Sequence, residues 1–340
     1  MLVEKRKTQR TFRTSLALTL LVGGMLVLVI AQAPSSHARR FSDWSVPVNL
    51  GPVINSASSD QQPAISKDGR SLYFASNRSG GLGGFDIYIS QRASAHDPWG
   101  SPVNLGPTVN TTSSEGNPAF SRDGHLMFFQ SDRPGGLGLI DIWASRRVNK
   151  HDDFGWQTPV NLGAGVNSAA GDQAPSYFEN DRNGENDEEG VPQLFFASDR
   201  PGGPGALDIY MSEQTAGGCF GPAVLVTELS SAGGDSRPSI RHDGLEMFFQ
   251  SNRVGSIGLS DLWVATREST LDAWSTPVNL GNTVNSAFIE QNPYLSSDAK
   301  TLFFSSDLPG GSGGLDLYMI TRTKQRGHQD RDDDDDDDDN

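Results

Sequence analysis

One glycine-rich sequence occurs five times in this chain and decides what it can fold into. Each copy begins at a serine and ends in an aspartate within a short alternating apolar segment: SNRSGGLGGFDIY from Ser76, SDRPGGLGLIDIW from Ser131, SDRPGGPGALDIY from Ser198, SNRVGSIGLSDLW from Ser251 and SDLPGGSGGLDLY from Ser306. A phosphate-binding glycine loop is needed once and opens a helix, whereas each of these copies runs into a β-type segment. The repeat therefore indicates architecture rather than a nucleotide site.

Four β-type segments recur in each unit. An aromatic segment precedes the glycine-rich sequence, as in LYFASN from Leu72, and four units carry before it a proline, an apolar stretch and an Asp-Gly-type turn, as in PAISKDG from Pro63. A Trp-x-x-Pro-Val-Asn-Leu-Gly element starts at Trp44, Trp99, Trp156 and Trp274, with a degenerate version at Phe220. The repeat aspartates are 53 to 67 residues apart. Long repeats with four strands each are typical of β-propellers.

The two ends of the repeat region determine how the ring closes. The first Pro-Val-Asn-Leu segment, residues 47–50, comes before any proline strand, and the last aspartate strand, residues 315–321, has no such segment after it. The N-terminal strand is therefore expected to complete the last blade. We predict an all-β fold over residues 44–323, a five-bladed β-propeller of four-stranded blades. The third unit carries an acidic, turn-rich insertion from Glu179 to Glu189, which is expected to be a surface loop.

The N-terminal residues predict export. Five Lys and Arg side chains precede an uncharged stretch from Thr14 to Ser36, which is typical of a secretory signal peptide over residues 1–33. The apolar run is also long enough to be an uncleaved membrane anchor over residues 14–33. Because Cys219 is the only cysteine, no disulfide can form within the chain, and export without disulfides fits a periplasmic or extracellular bacterial envelope protein.

The charge of the chain excludes some partners. Its formal net charge is −15, so nucleic acid and anionic membrane surfaces are poor partners. Eight consecutive aspartates, Asp332 to Asp339, come just before Asn340, and their mutual repulsion predicts a disordered acidic tail over residues 324–340. We expect a monomer.

The repeat resembles that of the TolB-type propeller family of exported envelope proteins. The resemblance covers Trp44 to Arg322 and rests on the unit P-x-I-S-x-D-G-x-x-L-Y-F-x-S-x-R-x-G-G-x-G-x-x-D-I-Y. It implies a propeller fold, an exported location and a binding role. TolB has a larger propeller and a further N-terminal domain, whereas only residues 34–43 precede blade material here, so a TolB orthologue is not expected.

Two charged series belong to the repeat itself. The glycine-rich sequence carries an arginine in four units, with Leu308 in its place in the fifth: Arg78, Arg133, Arg200 and Arg253. It carries an aspartate in all five: Asp86, Asp141, Asp208, Asp261 and Asp316. An anion site would not need spaced copies, so each arginine is expected to pair with the repeat aspartate or with a carboxylate of the adjoining blade.

A third series is the candidate binding site. Three residues before each strand proline stands a carboxylate: Asp60, Glu115, Asp172, Asp235 and Glu290. Because the proline opens the innermost strand, these side chains are expected to gather at one mouth of the central channel and to favour a cation, calcium included, or a basic ligand. The alternative is that each carboxylate accepts hydrogen bonds from neighbouring arginines or loops and only docks the blades.

No enzymatic motif is evident in the sequence. The histidines lack zinc-ligand spacing, no G-x-S-x-G elbow occurs, and the repeated tryptophans fit core packing. We therefore expect a non-catalytic module that binds an envelope protein or a glycan, with no cofactor other than the calcium considered above. The alternative is a carbohydrate-active enzyme, because the predicted fold resembles five-bladed propellers that host glycosidases using channel carboxylates. The equivalence of the five carboxylates favours binding, since a catalytic pair breaks the symmetry.

Overall fold

The computed structural model describes residues 41–179 and 190–325, which form twenty β-strands and no helix. The predicted signal or anchor at residues 1–33, residues 180–189 of the acidic insertion and the tail from residue 326 lie outside the described residues. Within those two described ranges, no helix has the length and apolar character of a membrane span.

The strands form five antiparallel sheets of four strands, and each sheet is a blade. The first blade contains β2 (Asp60–Ile65), β3 (Ser71–Ser76), β4 (Asp86–Gln91) and β5 (Val103–Asn104). The second contains β6 (Glu115–Phe120), β7 (Leu126–Ser131), β8 (Asp141–Arg146) and β9 (Val160–Asn161). The third contains β10 (Asp172–Phe178), β11 (Gln193–Ser198), β12 (Asp208–Glu213) and β13 (Val224–Leu225). The fourth contains β14 (Asp235–Ile240), β15 (Glu246–Ser251), β16 (Asp261–Thr266) and β17 (Val278–Asn279). The fifth contains β18 (Glu290–Leu295), β19 (Thr301–Ser306), β20 (Asp316–Thr321) and β1 (Val48–Asn49).

The first and last strands close the ring. β1 pairs with β20, with Val48 opposite Met319 and Asn49 opposite Tyr318. The first strands of neighbouring blades, β2, β6, β10, β14 and β18, contact one another in a circle and surround the central channel. The predicted five-bladed propeller and its closure by the N-terminal strand are thus confirmed. The outer edge of β20 is thus covered by β1, which gives the last blade its fourth strand.

The core lies between the blades. Tyr73 and Phe74 are adjacent on β3 and point to opposite faces, yet both are fully buried, because each blade is covered on both sides by its neighbours. One cluster joins Tyr73 and Ile87 of the first blade to Met127 and Phe129 of the second. This explains why the aromatic strands are continuously apolar rather than alternating.

A β-bulge interrupts every inner strand. In β2 the register shifts between Gln61 and Ala64, and the residue before the proline has a positive φ of 60° at Gln62. The same residue has φ between 50° and 59° in the other blades, at Asn117, Ala174, Arg237 and Asn292. Side-chain-bearing residues rarely adopt this conformation. Its recurrence at five equivalent points means that the bulge is built into the fold, where it turns these residues toward the channel axis.

An arginine lies over an aromatic ring at the outer edge of four blades. Arg92 lies 4.0 Å from the ring centroid of Trp99, and Arg147 lies 4.5 Å from that of Trp156. Arg267 with Trp274 and Arg322 with Trp44 repeat the contact. In the third blade, Gln214 and Phe220 form the corresponding bridge. The third blade therefore has glutamine and phenylalanine where the other four blades have the arginine and tryptophan of the cation–π contact.

Candidate functional site

The five predicted carboxylates are buried at the start of the inner strands. Asp60 has no exposed surface and accepts hydrogen bonds from the Ser56 amide at 2.5 Å and the Ser56 hydroxyl at 2.7 Å. The same pair of donors recurs in the other blades, at Thr111 for Glu115, Ser168 for Asp172, Ser231 for Asp235 and Ser286 for Glu290. None of the five is more than 1% exposed. Each carboxylate therefore bonds mainly to the loop that leads from the preceding blade into its own inner strand.

The repeat arginines pair with these carboxylates. Arg78 Nη2 lies 2.6 Å from Asp60 Oδ1 and also donates to the backbone oxygen of Ile54. The equivalent distances are 3.1 Å for Arg133 and Glu115, 2.5 Å for Arg200 and Asp172, and 2.5 Å for Arg253 and Asp235. In each case the partner belongs to the same blade, neither the repeat aspartate nor the adjoining blade.

Leu308 leaves the fifth carboxylate without such an arginine. Glu290 keeps the two donors of Ser286 and a hydroxyl contact from Ser306 at 3.4 Å. Burial raises the pKa of Glu290 above its ordinary value, because the effect of burial is larger than the opposite effect of these hydrogen bonds.

The repeat aspartates close the glycine loops. Asp86 accepts from the amides of Leu82 and Gly83 and from Asn104 Nδ2 at 2.9 Å. In the third blade Pro204 replaces the first amide donor and Leu225 replaces the asparagine. Asp208 is left with Gly205 as its hydrogen-bond donor, its Oδ1 has no partner, and burial raises its pKa.

A cation at the carboxylate end of the channel stays a prediction. Across residues 41–179 and 190–325, no group of three or more His, Cys, Asp and Glu side chains is arranged to hold a metal ion. The carboxylates already accept several internal donors each, which satisfies much of their acceptor capacity.

The opposite end of the channel carries an open cavity of about 400 Å³. We call it the mouth cavity. All five inner hairpins contribute to its wall, and Phe120, Tyr177 and Tyr294 give it aromatic surface. Ligand sites are commonly concave, with apolar surface and a few convergent polar groups.

One repeat position differs in every blade at this mouth. The residue four positions after the strand proline is Lys67, Arg122, Glu179, His242 or Ser297, and all five line the mouth cavity. The carboxylate end is nearly five-fold symmetric, whereas the mouth is chemically asymmetric. Sequence reasoning missed this set because it followed residues that recur, although aligning the units at the proline exposes the difference.

Glu179 is a carboxylate of the mouth cavity that the repeat does not explain. It accepts a hydrogen bond from the Arg122 amide at 3.1 Å. The pKa of Tyr177 is raised above its ordinary value, mainly by burial. The charge of Glu179 and the hydrogen bond between the Tyr177 and Glu179 side chains raise it further. The other carboxylate of the cavity, Asp298, occupies the repeat's turn position and accepts from Ser296 and from the Lys300 amide.

His242 lines the mouth cavity and has positively charged side chains near it. Desolvation of its ring lowers its pKa below 6.5, and the charges of Arg122, Arg241 and Lys67 act in the same direction, against Asp243. The imidazole is therefore neutral at pH 7 and can accept a proton.

Tyr294 forms the floor of the mouth cavity. The residue after the strand proline is small in four blades, at Ala64, Ala119, Ser176 and Ser239, and is tyrosine in the fifth. Tyr294 lines both the mouth cavity and a smaller cavity farther along the axis. It thus separates the mouth from the rest of the channel.

A charged cleft adjoins the mouth cavity between the first and second blades. It has a volume of about 710 Å³ and shares Lys67 and Arg122 with the mouth cavity. Six Lys and Arg residues line it against three aspartates. At its base Asp153 accepts hydrogen bonds from Ser71, Tyr73, Gln91 and Arg147. These bonds outweigh the effect of burial and hold its pKa below the ordinary value.

Comparison with known proteins shows which solved structures share this fold. No protein-family model and no curated protein sequence matches the chain. The catalytic domain of a GH62 α-L-arabinofuranosidase from Coprinopsis cinerea is 16% identical, with 84% of this chain and 98% of that chain covered and a TM-score of 0.52. An α-L-arabinofuranosidase from Lactobacillus brevis is 13% identical, with 82% and 94% covered and a TM-score of 0.54. A putative TolB from Agrobacterium tumefaciens is 16% identical, with 84% and 99% covered, but its TM-score is 0.46.

These comparisons correct one expectation. At 12 to 16% identity the likeness shows the five-bladed fold. The expectation of a non-catalytic binding or scaffold module is wrong against these comparisons, because the similar structures are mostly glycoside hydrolases. The part of the TolB-type resemblance that holds is the five-bladed propeller.

Proposed function

We propose that this chain is a carbohydrate-active enzyme of the glycoside hydrolase type, with its active site in the mouth cavity. The supporting observation is the repeat position that carries Lys67, Arg122, Glu179, His242 and Ser297 in the five blades. A structural role would retain one chemical group, as the carboxylate end retains Asp or Glu in every blade. Acid–base chemistry needs different groups around one substrate.

Glu179 is the proposed proton donor. Hydrolysis of a glycosidic bond needs an acid that protonates the leaving oxygen and a second group that activates water or attacks the sugar. His242 is the proposed base, because its neutral imidazole can take the proton of an attacking water molecule. Asp298 is the weaker candidate for the second group, since Asp68 and Asp123 occupy the same turn position in other blades.

The adjoining cleft favours glycans with acidic groups. Lys67, Arg70 and Lys150 are exposed there on a chain whose net charge is −15. A local positive surface on an acidic protein attracts carboxylate or sulfate groups over short range. A glycan that extends from the mouth cavity into this cleft would therefore be held better when it carries such groups.

The test is a glycan-hydrolysis screen with matched variants. Purified protein is incubated with neutral xylan and arabinoxylan and with acidic polygalacturonate and a sulfated glycan, and new reducing ends are measured. We expect turnover, higher on acidic glycans, and its loss in Glu179→Gln. Glu228→Gln is the control, because Glu228 is exposed and does not line the mouth cavity. Folded wild-type protein that cleaves no glycan, or a Glu179→Gln variant with full activity, would overturn the proposal.

We also propose that the protein is exported through residues 1–33, as the basic and apolar sequence there suggests. Export would bring the mouth cavity to glycans outside the cytoplasm. Fractionation of cells that express the full chain, compared with a chain lacking residues 1–33, tests this. Retention of both forms in the cytoplasm would contradict it.

A further inference from the structure

We propose that a single small inorganic anion of halide size binds on the propeller axis beside Arg237. The site is the cavity below Tyr294, lined by the five strand prolines and the five residues that precede them. It lies apart from the mouth cavity and does not depend on the proposed enzymatic activity.

Arg237 is the one charged member of its repeat position. The residue before the strand proline is Gln62, Asn117, Ala174 or Asn292 in the other four blades. Arg237 has the same left-handed backbone, with φ of 59°, and its side chain lines the axial cavity. The fourth blade therefore places a guanidinium where the other blades place neutral groups.

One nitrogen of the Arg237 guanidinium, Nη1, is buried without a hydrogen-bond partner in the described part of the chain. No carboxylate among the described residues lines the cavity. The nearby Asp235 is already paired with Arg253 at 2.5 Å. Arg237 as a whole is half-buried, but a buried N–H group without an acceptor is costly, and a bound anion would remove that cost.

Arg237 remains charged at neutral pH. Burial lowers its pKa to about 9, which is still above pH 7, so the cavity contains a positive charge without a protein counterion. A water molecule could accept one N–H bond but would leave that charge unbalanced. An anion supplies both the acceptor and the balancing charge.

The cavity has the size of a one-atom occupant. Its volume is about 20 Å³, where a single water molecule needs about 10–15 Å³. Asn292 also lines it, and the Asn292 Oδ1 has no hydrogen-bond partner. Exchanging the oxygen and nitrogen of that amide would offer the anion a second donor. A halide fits this space better than sulfate or a carboxylate.

Thermal unfolding at constant ionic strength tests the proposal. When chloride replaces gluconate, the wild-type melting temperature should rise by several degrees and then saturate, because an anion that binds only the folded state stabilises it. Arg237→Gln should remove this dependence; glutamine occupies the same position at Gln62, so the variant is expected to fold. Arg70→Gln, at an exposed cleft residue, should keep the dependence.

Diffraction from bromide-soaked wild-type crystals provides a second measurement. We expect one anomalous peak within hydrogen-bond distance of Arg237 Nη1. Absence of that peak, or equal chloride dependence in the wild type and Arg237→Gln, would overturn the proposal and leave water as the occupant.

Discussion

At the scale of single residues, buried carboxylates in this protein differ in how well they are paired. Glu115 and Glu290 occupy the same repeat position, but Glu115 has Arg133 at 3.1 Å and Glu290 has Leu308 where that arginine would stand. The first pair shows that a glutamate at this position accepts the arginine. Glu290 therefore lacks the ion pair that the other four carboxylates make, and replacing Leu308 with arginine should supply it.

Leu308→Arg should stabilise the protein at neutral pH by about 1 kcal/mol, the usual net gain from a hydrogen bond to a buried charged group less some lost packing.

The raised pKa of Glu290 means that the folded state binds its proton more tightly than the unfolded state. Its contribution to stability thus falls as pH rises from its unfolded pKa through the raised value. Urea unfolding between pH 4 and pH 8 should show this fall in the wild type and in Leu308→Met, and a smaller one in Leu308→Arg. If stability varied with pH in the same way in all three proteins, Leu308 would not be the reason that Glu290 lacks an ion pair.

The same scale gives a test of the proposed base. His242 must be unprotonated to accept a proton, so activity should fall as pH drops through its pKa, which lies below 6.5. His242→Gln should lower kcat by about 10²- to 10⁴-fold and remove that part of the pH profile. His96→Gln is the control, since His96 is exposed and lines neither the cleft nor the mouth cavity. An unchanged acidic limb in His242→Gln would exclude His242 as the base.

At the scale of elements, the inner hairpins carry both the symmetry and the variation of the molecule. Each inner strand has a buried Asp or Glu, a bulge and a proline at the same positions. Apart from substitutions such as Arg237 and Tyr294 beside the proline, the chemical variation lies in the hairpins at the mouth. This division follows from packing, because residues between blades must fit two neighbours while hairpin residues face solvent or a ligand.

The third hairpin gives the prediction at this scale. Deleting residues 180–189, between β10 and β11, should leave the melting temperature within a few degrees of the wild-type value, because shortening a loop outside the repeat frame changes chain entropy little. Thermal unfolding followed by circular dichroism measures this. A loss of ten degrees or more would mean that the insertion packs against the propeller. Glycan cleavage by the deleted form would separately show whether the insertion contributes to substrate choice.

At the scale of the whole molecule, the sequence was sufficient for the architecture. Five aligned copies fix the strands, and the unpaired outer strand at Val48 fixes the closure with Met319. Repetition makes this reliable, because each copy tests the same strand assignment independently. Pairings were harder to predict: Arg78 bonds Asp60 of its own blade, which depends on side-chain direction at two strand ends rather than on spacing.

The binding site expected from the sequence, at the recurring carboxylates, stays a prediction, and the site proposed at the mouth cavity lies where the repeat varies. The carboxylates that recur, such as Asp60, are buried and occupied by internal donors, whereas Glu179 and His242 stand where the copies disagree. Single-sequence reasoning cannot tell which divergent positions converge in space until the ring is built. Tyr294 illustrates this, because its role as the channel floor depends on four small residues in other blades.

The central claim is that a glycan binds at the mouth cavity rather than at the carboxylate end of the channel. The most direct measurement is a crystal structure of Glu179→Gln soaked with an oligosaccharide from the glycan that the wild type cleaves best. We predict a sugar ring over Tyr294, with its glycosidic oxygen within hydrogen-bond distance of the side chain at position 179. A sugar bound elsewhere on the propeller, with the mouth cavity empty, would contradict the account.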